Sequence, residues 1–238
     1  MKARIKFKKN GVMKFIGHLD VMRYFQKAMR RADIPIAFTK GFSPHMIMSF
    51  AQPLGIGLTS DGEYFDIELA APIDPETAVK NLNEVMVDGM EVVSFVPISD
   101  DKKQSGMTIT AAADYNVYLL ESESASDIRK KIPLEWRESA VNFMNQGEIT
   151  VLKKTKRSEK EVDIHPMIYD MKVEDDFIYL FLATGSERNL KPDLVMDAFL
   201  KYIGQDSVPL HYHRLDVYAK NPEDKLVPLE ALRIEDLQ

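Results

Sequence analysis

The chain has 238 residues, enough for one large domain or two small ones, and its 45% hydrophobic content is too high for a disordered protein. It contains no cysteine, which excludes disulfides, thiolate zinc sites, a cysteine nucleophile and a self-ligated iron–sulfur cluster. The net charge of −6 is segregated: residues 1–50 carry eleven Lys and Arg against Asp20 and Asp33, a local +9, which leaves −15 for the rest.

Residues 2–8, KARIKFK, alternate charged and apolar side chains, the pattern of a half-buried strand with Lys2, Arg4, Lys6 and Lys8 facing solvent. Residues 18–33 change to helical period, with Leu19, Met22, Phe25, Met29 and Ala32 as the apolar stripe and Arg23, Lys27, Arg30 and Arg31 on a basic flank. Gly17 serves as N-cap and Pro35 closes the unit. Residues 36–50 read as extended, broken by the turn Lys40-Gly41-Phe42-Ser43-Pro44. A glycine-containing loop, 52–62, precedes a strand at 63–70. Asp74-Pro75-Glu76 opens a helix through about Met86, Gly89 ends it, and 90–97 is a strand.

Residues 98–107 read as a polar linker. A strand at 108–120 follows, then helical stretches near 124–131 and 134–145, and strands at 148–155, 160–164 and 170–184. A helix runs from Lys191-Pro192-Asp193 to about Tyr202, and a last strand covers 210–219. The expectation is an α+β protein of two tandem ferredoxin-like (βαββαβ) domains, residues 1–98 and 108–238. No long apolar run predicts a membrane span, and the N-terminus lacks the apolar centre of a secretory signal, so a cytoplasmic protein is expected.

Four groups of residues are candidates for function. Arg23, Lys27 and Arg30 share one helix face, and with Lys14, Arg31 and the strand lysines they would suit phosphate contacts. The turn offers Lys40, Gly41, Ser43 and His45 to an anion, with Phe42 either stacking on a base or sitting in the core. The segment KKTKRSEKE places Lys153, Lys154, Lys156 and Arg157 on a basic hairpin, which Arg188 could join. His18 and His45 are the alternative: two histidines near lysines can run metal-independent RNA cleavage. His211 and His213 have same-face spacing on a strand, but two ligands are too few for a structural metal site, so neither metal nor cofactor is expected.

The runs Lys14-Phe15-Ile16-Gly17-His18-Leu19-Asp20, Arg30-Arg31-Ala32 with Ile34-Pro35, Gly41-Phe42-Ser43-Pro44, Pro53-Leu54-Gly55, and Ser60 with Glu63-Tyr64 together resemble the radical SAM-linked protein family. That is a domain of unknown function fused to, or encoded beside, radical SAM enzymes. The likeness is dense over residues 2–97. It is looser after them, through Val162-Asp163-Ile164 and Gly185, Arg188 and Lys191-Pro192. Gly17 stands where the family often has Ser, and Ser43-Pro44-His45-Met46 where it often has Asn-Pro-Arg-Pro. The resemblance implies an accessory part beside a separate radical SAM enzyme, in a translation or RNA-processing setting. The expected function is therefore a non-catalytic module that binds RNA or presents an RNA- or ribosome-related substrate, with a ribonuclease or a protein-only adaptor as alternatives.

Overall fold

The computed structural model describes residues 1–122, 128–154, 159–205 and 207–234. In chain order the elements are β1 (Lys2–Lys9), α1 (His18–Arg31), β2 (Met48–Ala51), β3 (Thr59–Glu68), α2 (Pro75–Asn83), β4 (Met90–Ile98), α3 (Gly106–Ile109), β5 (Thr110–Leu120), β6 (Arg129–Lys130), α4 (Glu135–Met144), β7 (Thr150–Lys154), β8 (Glu159–Asp163), β9 (Ile168–Val173), β10 (Ile178–Ala183), α5 (Pro192–Tyr202), β11 (Leu210–Lys220) and β12 (Leu226–Pro228). The fold is α+β. It packs as two units, one made of Met1–Ala111 with Arg214–Gln238, the other of Ala112–His213. The segment from Arg214 onward therefore belongs with the opening residues rather than with residues 112–213.

In the first unit the strands run in the order β4-β1-β3, all antiparallel neighbours. The second edge of β3 is shared by β2, which pairs from Met48↔Ile67 to Ala51↔Tyr64, and by the later part of β11. Ala3, Ile5 and Phe7 of β1 point to one face, where Val21, Phe25, Ala28 and Met29 of α1 and Ala78 and Leu82 of α2 bury them. Four phenylalanines form the centre of this core, with Phe7–Phe25, Phe25–Phe65 and Phe50–Phe65 ring centroids 4.6, 4.7 and 4.9 Å apart. The helix starts follow the sequence: Asp74 accepts the Thr77 N–H at 2.8 Å, and Pro75 occupies the first turn of α2.

The opposite face of β1 and β3 differs from the expectation. Alternation places Arg4 and Lys6 toward solvent, yet both are buried, as is Tyr64 on the neighbouring strand. Residues 98–107, expected as a linker, fold into a short 3-10 helix (Lys102–Gln104) and run on into α3. They cover Arg4, whose Nη2 donates to Gln104 O at 3.0 Å, while Nη1 donates to Leu229 O at 3.2 Å. Covering a charged face requires matched charge, and the covering segments supply it.

The second unit orders its strands β5-β10-β9, with β6 on β5 and β7 paired to β8 as a separate hairpin. Trp136 and Phe143 of α4 meet Phe199 of α5 at 5.7 and 5.5 Å. The helix expected near 124–131 is overturned where it is described: Arg129 and Lys130 form a strand against Leu120 and Leu119, closed by the Glu121 N–H to Ile128 O at 2.9 Å. Arg129 then lies over the Tyr118 ring at 3.6 Å, a contact that a helix there would forgo.

Gly62 lies where β3 and β11 approach most closely, because a Cβ at this position would meet Leu215 O at 2.6 Å and Asp216 Cα at 2.7 Å. Both are backbone atoms that cannot step aside. Gly62→Ala is expected to lower stability by about 1–3 kcal/mol, read as a fall in the urea midpoint.

Candidate functional site

The first unit holds two tiers of polar chemistry. The lower tier is the buried face of β1. Arg4 lies directly opposite Asp66 in the β1–β3 register, and its Nε donates to Oδ1 at 2.8 Å and its Nη2 to Oδ2 at 3.1 Å. The Gly106 N–H adds a third bond to Asp66 at 2.7 Å. Lys6 donates to Asp216 Oδ2 at 2.8 Å and Glu230 Oε1 at 2.7 Å, Tyr64 donates to Asp216 Oδ1 at 2.6 Å, and Ser94 donates to Glu230 Oε2 at 2.7 Å. Burial alone would lower the Lys6 ammonium, but the hydrogen bonds and charges of Asp216 and Glu230 outweigh it and raise its pKa. Burial would raise the Glu230 carboxyl, and the Lys6 and Ser94 hydrogen bonds with the Lys6 charge hold it below its usual value.

The upper tier lies toward α1. Lys9 falls in phase with Phe7, so its side chain enters the core face, where Nζ donates to Ile16 O at 3.0 Å. Burial lowers its pKa, the Glu63 charge offsetting part of the shift and the Arg214 charge adding to it. Arg214 Nε donates to Glu63 Oε1 at 2.8 Å and its Nη2 reaches both that oxygen and Gln52 O, the latter at 2.8 Å. The His18 ring stands edge-on to Phe50 at 5.1 Å. Lys9, His18 and Glu63, with Phe7, Val21, Phe50, Pro53 and Leu54, line a cavity of ≈ 10 Å³. That is about the space of one water. The motif residues His18, Pro53, Leu54 and Glu63, far apart in the sequence, thus meet at one place.

The solvent-side candidates are distributed as follows. Arg23, Lys27 and Arg30 are exposed on the face of α1 opposite its buried Val21, Phe25, Ala28 and Met29, and Arg31 is exposed beside them. Arg23 contacts Asp20 at 3.5 Å, a surface pair of little strength. Lys27, Arg30, Arg31 and Lys40 have no carboxylate partner among the described residues. Lys14 is buried, its ammonium 5.2 Å from the Phe15 ring centroid, and so leaves the proposed basic face. The turn projects outward: Lys40, Gly41, Phe42, Ser43 and His45 are all exposed. Phe42 is fully exposed, which decides between the two readings of that ring against the core. Gly41 has φ +119°, a conformation open to glycine, and the Thr39 hydroxyl meets both the His45 ring Nδ1 and the His45 N–H at 3.1 Å.

The strand lysines do not extend the α1 face. Lys2 donates to Asp100 O at 2.8 Å, Lys8 pairs with Glu91 at 3.0 Å, and Arg4 and Lys6 are enclosed on the side of the sheet away from α1. The two histidines occupy different surroundings, His18 against Phe50 and His45 on the exposed turn. In the second unit Arg188 is exposed, on a loop held by the Thr184 hydroxyl to Asn189 at 2.9 Å. Lys153 and Lys154 belong to β7, paired with Lys160 and Glu159 of β8, while Lys156 and Arg157 lie outside the described residues. The His211 ring stacks on Tyr118 at 6.3 Å. Among the described residues no group of three or more His, Asp and Glu is placed to hold a metal ion.

The profile of a bacterial family, uncharacterized proteins conserved in bacteria (DUF2344), matches residues 2–192. The chain belongs to this family. No curated protein matches it. The match takes in both tiers' β1 and β3 residues, and the acids Asp216 and Glu230 that complete the lower tier lie beyond its end.

Two measurements test the tiers. Asp66→Ala strands a buried guanidinium and is expected to cost about 3–5 kcal/mol, whereas Arg4→Met combined with Asp66→Leu costs less, because no charge is left unpaired; urea denaturation compares them. Glu230, depressed in the folded state, adds stability above the usual carboxylate value of 4.5 that is lost as pH falls through its lower folded value. Lys6, raised, adds stability below 10.5 that is lost as pH climbs past its folded value. The stability gap between wild type and Glu230→Gln should therefore narrow in acid and stay constant across neutral pH.

Proposed function

We propose that the chain is a non-catalytic accessory module that works beside a separate radical SAM enzyme and binds RNA through the first unit. One observation carries this reading: four cations of residues 1–50 that have no carboxylate partner among the described residues, Lys27, Arg30, Arg31 and Lys40, are exposed, and a fully exposed Phe42 accompanies them. Cations supply salt-dependent phosphate affinity, and an exposed ring supplies sequence-tolerant base stacking. The radical SAM partner rests on the family resemblance of the motif residues, and the absence of cysteine means that any cluster chemistry must come from the partner.

A nuclease reading has less support from the geometry. His18 borders a cavity with room for a water and not for a phosphodiester, and its neighbour is Phe50. His45 stands on the turn, its ring engaged by Thr39. General acid–base catalysis needs two such groups within reach of one scissile bond.

Fluorescence anisotropy with a labelled single-stranded RNA across a salt series is the test. The log of the affinity should fall steeply with log salt, with the slope reduced by about one for each of Lys27→Glu and Arg30→Glu. Phe42→Ala should cost about 1–3 kcal/mol at every salt concentration. A flat salt response, or binding indifferent to these three changes, would overturn the reading.

A further inference from the structure

Three segments of the first unit place large apolar side chains in water at one spot. The 3-10 helix Gly11–Phe15 exposes Val12 (73%) and Phe15 (64%), three residues apart, a spacing at which side chains eclipse on such a helix. The first turn of α1 exposes Leu19 (59%), and the loop after Pro53 exposes Ile56 (64%). Ile56 lies over Gly17, its Cδ1 only 3.5 Å from where a Cβ would stand, and the Gly57 N–H bonds Lys14 O at 2.8 Å. The loop is therefore held against Gly17 and the end of the 3-10 helix, which brings Ile56 beside the stretch of chain that carries Phe15 and Leu19.

The surface is held from below. Lys9 donates to Ile16 O, Arg214, held by Glu63, donates to Gln52 O at the start of the loop, and His18 is seated on Phe50. Buried charge thus anchors one end of each of two segments that display apolar residues, the 3-10 helix and the loop. A monomer gains nothing by holding four large apolar groups rigidly in solvent, and such a patch marks an interaction site.

Size and charge select the occupant. The four side chains expose on the order of 400–500 Å², about half of what each partner of a stable protein–protein interface contributes. That is small for a second folded copy and suits a short helix. No carboxylate lies in residues 11–17 or 53–58, and the one beside Leu19, Asp20, is engaged by Arg23 in a weak surface pair. From Leu19 the exposed face of α1 continues through Arg23, Lys27 and Arg30 for about 16 Å. We infer that Val12, Phe15, Leu19 and Ile56 form the docking site for an amphipathic, acidic helix of a partner protein, whose apolar residues cover the patch and whose carboxylates align with Arg23 and Lys27. This deepens the accessory-module reading by giving the partner a place, and it rests on that reading.

The test uses the full chain and a synthetic amphipathic peptide about four turns long, with leucines on one face and glutamates along its flank, against the same peptide with lysines replacing the glutamates. The acidic peptide should bind in calorimetry at least about tenfold more tightly than the basic one. Phe15→Ser and Ile56→Ser, both at exposed positions, should each weaken it about tenfold while the melting temperature stays unchanged. These two variants should leave RNA affinity intact, whereas Phe42→Ala, on the turn outside the patch, should weaken RNA and leave the peptide's affinity unchanged, so either proposal can fail alone. No binding of the acidic peptide, equal binding of both peptides, or indifference to Phe15→Ser and Ile56→Ser would overturn the inference. So would a dimer in sedimentation that Leu19→Ser disperses, which assigns the patch to a second copy. Cosedimentation with anionic lipid vesicles that Phe15→Ser abolishes would assign it to a membrane surface, and would overturn it as well.

Discussion

Matched charge on the enclosed face of β1 is the constraint on which the first unit depends. Arg4 and Lys6 project from the central strand into a layer that excludes water, and an unpaired cation there would cost several kcal/mol. Their counter-charges come from Asp66 in the neighbouring strand and from Asp216 and Glu230, more than two hundred residues away in the chain. The C-terminal segment must return to this face for the fold to close. The charge segregation of the sequence, +9 beside −15, is thus in large part a folding complement within one chain. The cations of α1 and the turn, Lys27, Arg30, Arg31 and Lys40, have no carboxylate partner among the described residues.

The same pairs fix register. A strand with apolar and charged faces tolerates no slip, because moving β1 by one residue would thrust Arg4 and Lys6 into the phenylalanine cluster and expose Ala3, Ile5 and Phe7. Isosteric apolar residues could match the pairs for stability. Direct opposition of Arg4 to Asp66 and the Tyr64–Asp216 bond define one pairing of β1, β3 and β11, and Gly62 admits the close approach that this pairing requires. On the other face Lys9 and Arg214, the latter held by Glu63, act on loops: they donate to the carbonyls of Ile16 and Gln52 and so position the segments that carry Phe15, Leu19 and Ile56. Buried polar groups below and exposed apolar groups above belong to one arrangement, built around the motif residues.

Much of the fold was legible because local physics decides it. Alternation marked β1, helical period marked α1, and Asp74-Pro75 marked the start of α2, each within a few residues of the observed bounds. Reading failed where a local pattern had two outcomes. Alternation says that Arg4 and Lys6 share a face, but not whether that face meets water. The polar residues 98–107 look like a linker until their backbone is seen to bond Arg4 and Asp66. Phe42 between a glycine and a proline admits core or solvent equally. The site was legible in part: the cations of α1 were correctly placed on one exposed face, whereas Lys14, His18 and Lys9 depended on what packed around them. The exposed quartet was missed because nothing in a sequence distinguishes a displayed Leu19 or Ile56 from a buried one.

By itself the sequence determined β1, α1 and the start of α2, the cysteine-free chemistry and the uneven charge, since these follow from composition and from neighbours a few residues apart. Only the tertiary structure decided which cations are spent inside and which remain outside. A Coulombic partner is chosen by distance in space, and Lys6 finds Asp216 across an interval of the chain that no periodicity or spacing records.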